Sequence, residues 1–286
     1  MRVYKIVSFS VVILLISVFF AGAVIVPAAA QYDTQYQYNA AHTGDYSPVA
    51  GSTPPNNVQK WSFATGDLVD SSPAVLNGLV YAGSNDHNVY ALNATTGAKV
   101  WNYTTGDHVL SSPAIVNGVV FVGSDDGNVY ALNATTGAKV WNYTTGGLVE
   151  SSPAVSNGVV FVGSDDNNLY ALNASNGAKL WSFATGFTVY SSPAVANGVV
   201  YVGSDDSNVY ALNASNGAKL WSFATAAGVE SSPAVVNGTV YVGSEDSNVY
   251  AIGNGAAATS HGIPGFDVTL ALVGLIIIAY ALKRKR

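Results

Sequence analysis

A chain of 286 residues with 17 acidic and 11 basic side chains carries a formal net charge of −6 and has no cysteine. Disulfides are excluded, so stability must come from burial and ring closure. Between residues 31 and 264 five lysines face 16 carboxylates (the 17 less Asp267), a balance of −11; the clustered Lys and Arg that a nucleic-acid surface requires are missing.

At the start, Arg2 and Lys5 precede an apolar run from Ile6 to Val26, followed by Pro27-Ala28-Ala29-Ala30-Gln31. This order predicts a secretory signal over residues 1–30, cut after Ala30; the run is also long enough to serve as an uncleaved anchor. Residues 31–58, with QYDTQYQY and a Pro-Pro pair, read as an N-terminal arm.

From residue 59 to 252 the chain repeats itself. Trp61, Trp101, Trp141, Trp181 and Trp221 recur at a fixed step of 40 positions. Each is followed by Ser-Ser-Pro, an Asn-Gly pair, a VxVGS-type run, an acidic turn and an NVYAL-type run. Asn77-Gly78, Asn117-Gly118, Asn157-Gly158, Asn197-Gly198 and Asn237-Gly238 suit type I′ turns, which need positive φ at both central residues. Runs such as Val199-Val200-Tyr201-Val202 suit strands buried on both faces. A period of about 40 residues with four short strands is the signature of a β-propeller blade.

The repeat starts with a spare strand, Gln59 to Thr65, and its last unit lacks the matching outer strand. The expected fold is therefore an all-β propeller of five four-stranded blades. Its blades span 71–105, 111–145, 151–185, 191–225, and 231–252 completed by 59–65, so that the N-terminal strand closes the ring and removes both open edges. An open array, or a ring completed by a second chain, is the alternative.

At these residues the chain resembles the pyrroloquinoline-quinone-like propeller repeat family, whose blades carry an AxDxxTGxxxW docking motif. It appears here as Ala91-Leu92-Asn93-Ala94-Thr95-Thr96-Gly97-Ala98-Lys99-Val100-Trp101 and in copies ending at Trp141, Trp181 and Trp221, with Asn93, Asn133, Asn173 and Asn213 in place of Asp. The resemblance implies that the tryptophans, Trp61 included, pack blade against blade and do not bind quinone. Quinoprotein dehydrogenases of this kind use eight blades, a calcium-bound quinone, a catalytic Asp and, in many members, adjacent cysteines. This chain is shorter and has no cysteine, so it is read as non-catalytic, with a quinone-dependent dehydrogenase as the alternative.

After a linker over 253–263, Pro264-Gly265-Phe266 opens a second apolar run, Val268 to Leu282, closed by Lys283-Arg284-Lys285-Arg286. The basic end stays cytoplasmic, which puts the propeller outside. Residues 264–286 resemble the PGF-type sorting signal of archaeal surface proteins, which implies replacement of the tail by a lipid. An ordinary transmembrane segment predicts the same topology. Either way the expected location is the extracellular face of the cell membrane.

Because the repeats are near-copies, their differences are informative. The stretch before each Ser-Ser-Pro varies most and carries Asp70, Glu150, Tyr190 and Glu230. These should rim one mouth of the channel, with Asp86, Asp126, Asp166, Asp206 and Asp246 behind them, as a contact face for an envelope protein or glycan. Neutral drift in surface loops is the alternative. Asn93, Asn133, Asn173, Asn213 and Asn237 begin glycosylation sequons; the first four equally suit Asx-turns. His42, His87, His108 and His261 read as isolated, and no catalytic or metal-ligand spacing appears. The pairs Asp125-Asp126, Asp165-Asp166 and Asp205-Asp206 could hold calcium, but their turns already explain them. No cofactor is expected. The chain is read as a monomeric binding or scaffold module, or as a purely structural envelope component.

Overall fold

A computed structural model describes residues 57–253. The expected signal, nearly all of the arm, the linker after Gly253 and the tail lie outside the described residues. The described residues hold 19 strands and no helix, in five antiparallel sheets. Strands β1 (Ala74–Leu76), β2 (Leu79–Gly83), β3 (Asn88–Asn93) and β4 (Lys99–Thr104) pair in chain order. The pattern recurs from β5 (Ala114–Val116) to β8 (Lys139–Thr144), from β9 (Ala154–Ser156) to β12 (Lys179–Ala184), and from β13 (Ala194–Ala196) to β16 (Lys219–Ala224). The last sheet has three strands: β17 (Ala234–Val236), β18 (Thr239–Gly243) and β19 (Val249–Gly253). This is a propeller architecture, with each sheet a blade.

Local chemistry sets each turn. Asn117 and Gly118 have φ of 51° and 76°, and the other four Asn-Gly pairs match them, the left-handed geometry of a type I′ hairpin. The Asn-Ala-Thr/Ser turns are Asx-turns: Asn93 Oδ1 accepts from the Thr95 and Thr96 N–H groups, both at 2.9 Å. The turn leaves Asn93 Nδ2, the atom a glycan would use, outside these bonds.

The apolar core lies between blades. One cluster joins Phe121, Val129 and Trp141 to Val149, Val160 and Leu172 of the following blade; equivalent clusters fill the other junctions up to the last blade. Trp101 Nε1 donates to Ala134 O (2.9 Å), and Trp61, Trp141 and Trp181 reach Ala94, Ala174 and Ala214 in the same way. A Cβ on Gly137 would stand 2.7 Å from the Trp101 ring, so only glycine fits beneath that indole. Four of the five tryptophans thus hydrogen-bond to the backbone of the following blade. Trp221 packs on the last blade with Tyr201, Tyr250 and Ile252.

The Ser-Ser-Pro segments form a second tie near the axis, where β1, β5, β9, β13 and β17 touch in that order. Each N–H of Ser72, Ser112, Ser152 and Ser192 donates to the hydroxyl of the serine 40 positions on, at 2.9–3.1 Å. Ser111 Oγ and Ser151 Oγ donate to Ser151 O and Ser191 O.

Closure is where the structure departs from expectation. Gln59 to Thr65 adopts no strand, and β19 has no outer partner among the described residues. The segment nonetheless occupies an outer-strand position against the first blade, through Trp61 and through Phe63, whose ring lies 5.4 Å from that of Tyr90. The missing contact is with the last blade. Gly83, Gly123, Gly163 and Gly203 abut Val109, Val149, Val189 and Val229, whereas Gly243 meets only Ser231 and its counterpart Val69 is 47% exposed. Among the described residues, no such contact joins the last blade to the first.

Candidate functional site

The acidic turn of every blade puts its two neighbouring residues to different uses. The second of each pair is a staple. Asp126 Oδ2 accepts from Gly106 N–H of the preceding connection (2.7 Å) and from the Tyr130 hydroxyl (2.6 Å), while Oδ1 accepts from Asn128 N–H (2.9 Å). Asp86, Asp166, Asp206 and Asp246 repeat this with Gly66, Gly146, Gly186 and Ala226. At Asp86, Asp126 and Asp166 burial pushes the carboxyl up, but the bonds from the tyrosine and the backbone outweigh it and hold all three below the usual range. At Asp246 the Tyr250 hydroxyl dominates and the value falls to about 2. Tyr90 is pushed up to about 12 by burial and by its bond to Asp86. These five aspartates, expected behind the contact face, have their acceptor capacity committed within the fold.

The first residue of each pair, Asn85, Asp125, Asp165, Asp205 or Glu245, turns instead toward the variable stretch. Asn85 Nδ2 donates to Asp70 Oδ2 (2.9 Å), Thr188 Oγ1 donates to Asp205 Oδ2 (2.8 Å), and Tyr190 hydrogen-bonds to Asp165. Backbone bonds fix the two loops together, as in Asp125 N–H to His108 O at 2.9 Å and Asp165 N–H to Leu148 O at 3.0 Å. Asp70, Glu150 and Glu230 line one recess of about 500 Å³ with Leu110 and the Ser-Ser-Pro serines. Three of the four residues expected at the rim thus share one recess, while Tyr190 bonds to Asp165 of the adjacent turn. The asymmetry within each Asp-Asp pair is visible in sequence, since the second position is acidic in all five copies and the first is Asn85 in one.

The rim is crowded with negative charge. Burial, then the carboxylates of Asp125, Asp165 and Glu230, raises Glu150; burial, then Asp205 and Glu245, raises Glu230. Asp125 and Asp165 are raised first by burial as well. Asn85, Asp125, Asp165 and Asp205 each keep one buried Oδ1 without a partner, an unmet acceptor in four consecutive blades. Such a surface favours cations and donors.

It does not suit pyrroloquinoline quinone, whose carboxylates need cationic partners. No Lys or Arg lines the recess; Lys99, Lys139, Lys179 and Lys219 each begin an outer strand and are exposed. In each acidic pair the second carboxylate is held by the backbone of the preceding connection.

Two expected isolated residues are brought together. His87 lies in the turn between β2 and β3 and His108 in the connection from β4 to β5, and their rings meet edge-on with centroids 5.3 Å apart. Residues 21 positions apart carried no spacing signal; the blade junction joins them.

Fold and rim define a blade-repeat propeller with an acidic mouth. The chain belongs to the pyrroloquinoline-quinone-like repeat family described as outer membrane protein assembly factor BamB, whose model matches residues 45–151, 85–187 and 144–265. A PGF-CTERM motif matches residues 263–285 and marks a surface-anchored, membrane-associated protein. No curated protein matches the chain. Among solved structures, BamB from Moraxella catarrhalis is similar at 22% identity and TM-score 0.61, over 68% of this chain and 61% of that one. The computationally designed Ika8 protein is similar at 17% and 0.58, over 63% and 57%. Quinohemoprotein alcohol dehydrogenase ADHIIG from Pseudomonas putida HK5 is similar at 20% and 0.57, over 67% and 41%. The chain thus spans less than two thirds of each of these structures, and at such identities the likeness is one of fold.

Proposed function

We propose that this protein is a non-catalytic propeller, exported through residues 1–30 and held at the outer face of the membrane by residues 264–286, that binds envelope protein or glycan partners through its acidic mouth. The observation that carries this reading is the row of partnerless buried acceptors at Asn85, Asp125, Asp165 and Asp205 beside the raised carboxyls of Glu150 and Glu230. Groups that are both desolvated and mutually repelling gain most when a cationic or donor-rich surface covers them. A Lys- or Arg-bearing segment of an envelope protein fits best. The family description, an outer membrane protein assembly factor, agrees with a role in protein–protein contact.

The test is capture of partners from the native envelope by the full chain and by a Glu150→Lys, Glu230→Lys double variant. Captured partners should be lost from the variant and should elute as salt rises, since exposed charges are screened over about 10 Å at 0.1 M. Partners kept by the variant, or oxidation of an alcohol on addition of the quinone and calcium, would replace this reading with the dehydrogenase alternative.

A further inference from the structure

The five blades are near-copies, so a residue type that occurs in one junction alone needs a local reason. At the position of His87 the other blades carry Gly127, Asn167, Ser207 and Ser247; at that of His108, Leu68, Leu148, Thr188 and Gly228. His87 and His108 are the two histidines of the described residues, and they fall at the same junction. His87 also occupies a left-handed position, with φ of 70°, where Gly or Asn is accommodated at lower cost.

Asp107 stands between them. Its Oδ1 lies 3.9 Å from His87 Nε2 and 3.9 Å from His108 Nε2, and the three side chains can each offer a ligand atom within 4.8 Å of the others. The opposite nitrogen of the same imidazole, His108 Nδ1, lies 3.8 Å from Asp125 Oδ2. Asp125 is largely buried, with its side chain 11% exposed, and its other oxygen has no partner. A carboxylate on the far nitrogen of a ligating imidazole is the arrangement that fixes tautomer and ring direction at metal centres.

We propose that His87, His108 and Asp107 bind a divalent transition-metal ion of the zinc class, with Asp125 orienting His108. Two imidazoles and a carboxylate suit zinc, whose bonds to N and O of about 2.0–2.2 Å require donor atoms about 3.3 Å apart. The observed separations close to that value with small rotations of half-exposed side chains. Three protein ligands leave a position open to water or to a partner's side chain. His87 belongs to the turn between β2 and β3, whereas Asp107 and His108 belong to the connection from β4 to β5, so the ion would also tie the first blade to the second at the mouth.

The test is calorimetric titration of the purified full chain with zinc chloride and, separately, calcium chloride. A companion titration with cobalt(II) follows visible absorption. The comparison variant carries His87→Asn and His108→Leu, residues that Asn167 and Leu148 already supply at equivalent positions in this fold. The expected result is one zinc per chain, a cobalt spectrum of a nitrogen-containing low-coordinate site, no comparable calcium binding, and loss of both signals in the variant with its melting unchanged in chelator. Asp125→Asn should weaken zinc by about 10–100-fold without abolishing it. A wild-type chain that takes up no zinc, or a folded double variant that binds as tightly as wild type, overturns the proposal.

Discussion

The Cα of Gly203 lies directly against Val229, which leads into the next blade: a Cβ there would collide with the Val229 carbonyl oxygen. The same contact joins Gly83 to Val109, Gly123 to Val149 and Gly163 to Val189, but among the described residues Gly243 makes no such contact with Val69. Gly203→Ala should therefore force the two blades apart and cost about 1–3 kcal/mol. Gly243→Ala, which meets nothing closer than Ser231 Oγ at 3.5 Å, should lie within about 0.5 kcal/mol of wild type. Chemical denaturation of both variants checks this. Equal losses would mean that Val69 seats on Gly243 in solution and that the ring closes.

The staple aspartates should behave as structural groups. Asp126→Asn removes the charge that holds the Tyr130 hydroxyl and the Gly106 N–H, and should cost about 1.5–3 kcal/mol at pH 7. Because the folded carboxyl lies below its ordinary value of 3.8, its contribution is complete above that value and is lost as pH falls through the folded one. The gap between Asp126→Asn and wild type should accordingly shrink in acid. A gap independent of pH would show that the carboxylate's charge is not what joins the blades.

Glu150 should respond with the opposite sign. Its carboxyl is raised by burial and by Asp125, Asp165 and Glu230, so ionisation works against the fold. Glu150→Gln should raise the melting temperature at neutral pH. The gain should be absent below the ordinary value of 4.5, develop as pH climbs from there to the folded value, and stay level above it. Melting curves taken from pH 3.5 to 8 would reveal a destabilising Gln, which is the outcome inconsistent with like-charge crowding.

Trp141, 8% exposed, fills a complete junction, and Trp141→Ala should cost about 3–5 kcal/mol. Trp61 makes the same bond to the backbone but precedes the first blade and is only half-buried; Trp61→Ala should cost measurably less. Equilibrium unfolding of the two variants ranks them. If Trp61→Ala proved as costly as Trp141→Ala, the segment around it would have a second neighbour that this structure lacks.

The sequence alone determined the blade. Strand order, the paired positive-φ turns at the Asn-Gly sites and the docking role of the tryptophans all follow from patterns within about 40 residues, where backbone preference and side-chain period decide the outcome. It also located the variable stretch holding Asp70, Glu150, Tyr190 and Glu230. Only the tertiary structure decided how Asp125 and Asp126 divide their work, because that depends on which side of the hairpin faces the preceding blade. The meeting of His87 with His108 and the separation of Gly243 from Val69 likewise arise from how one rigid blade is set against the next. That angle is a sum of many inter-blade contacts, and no single repeat encodes it.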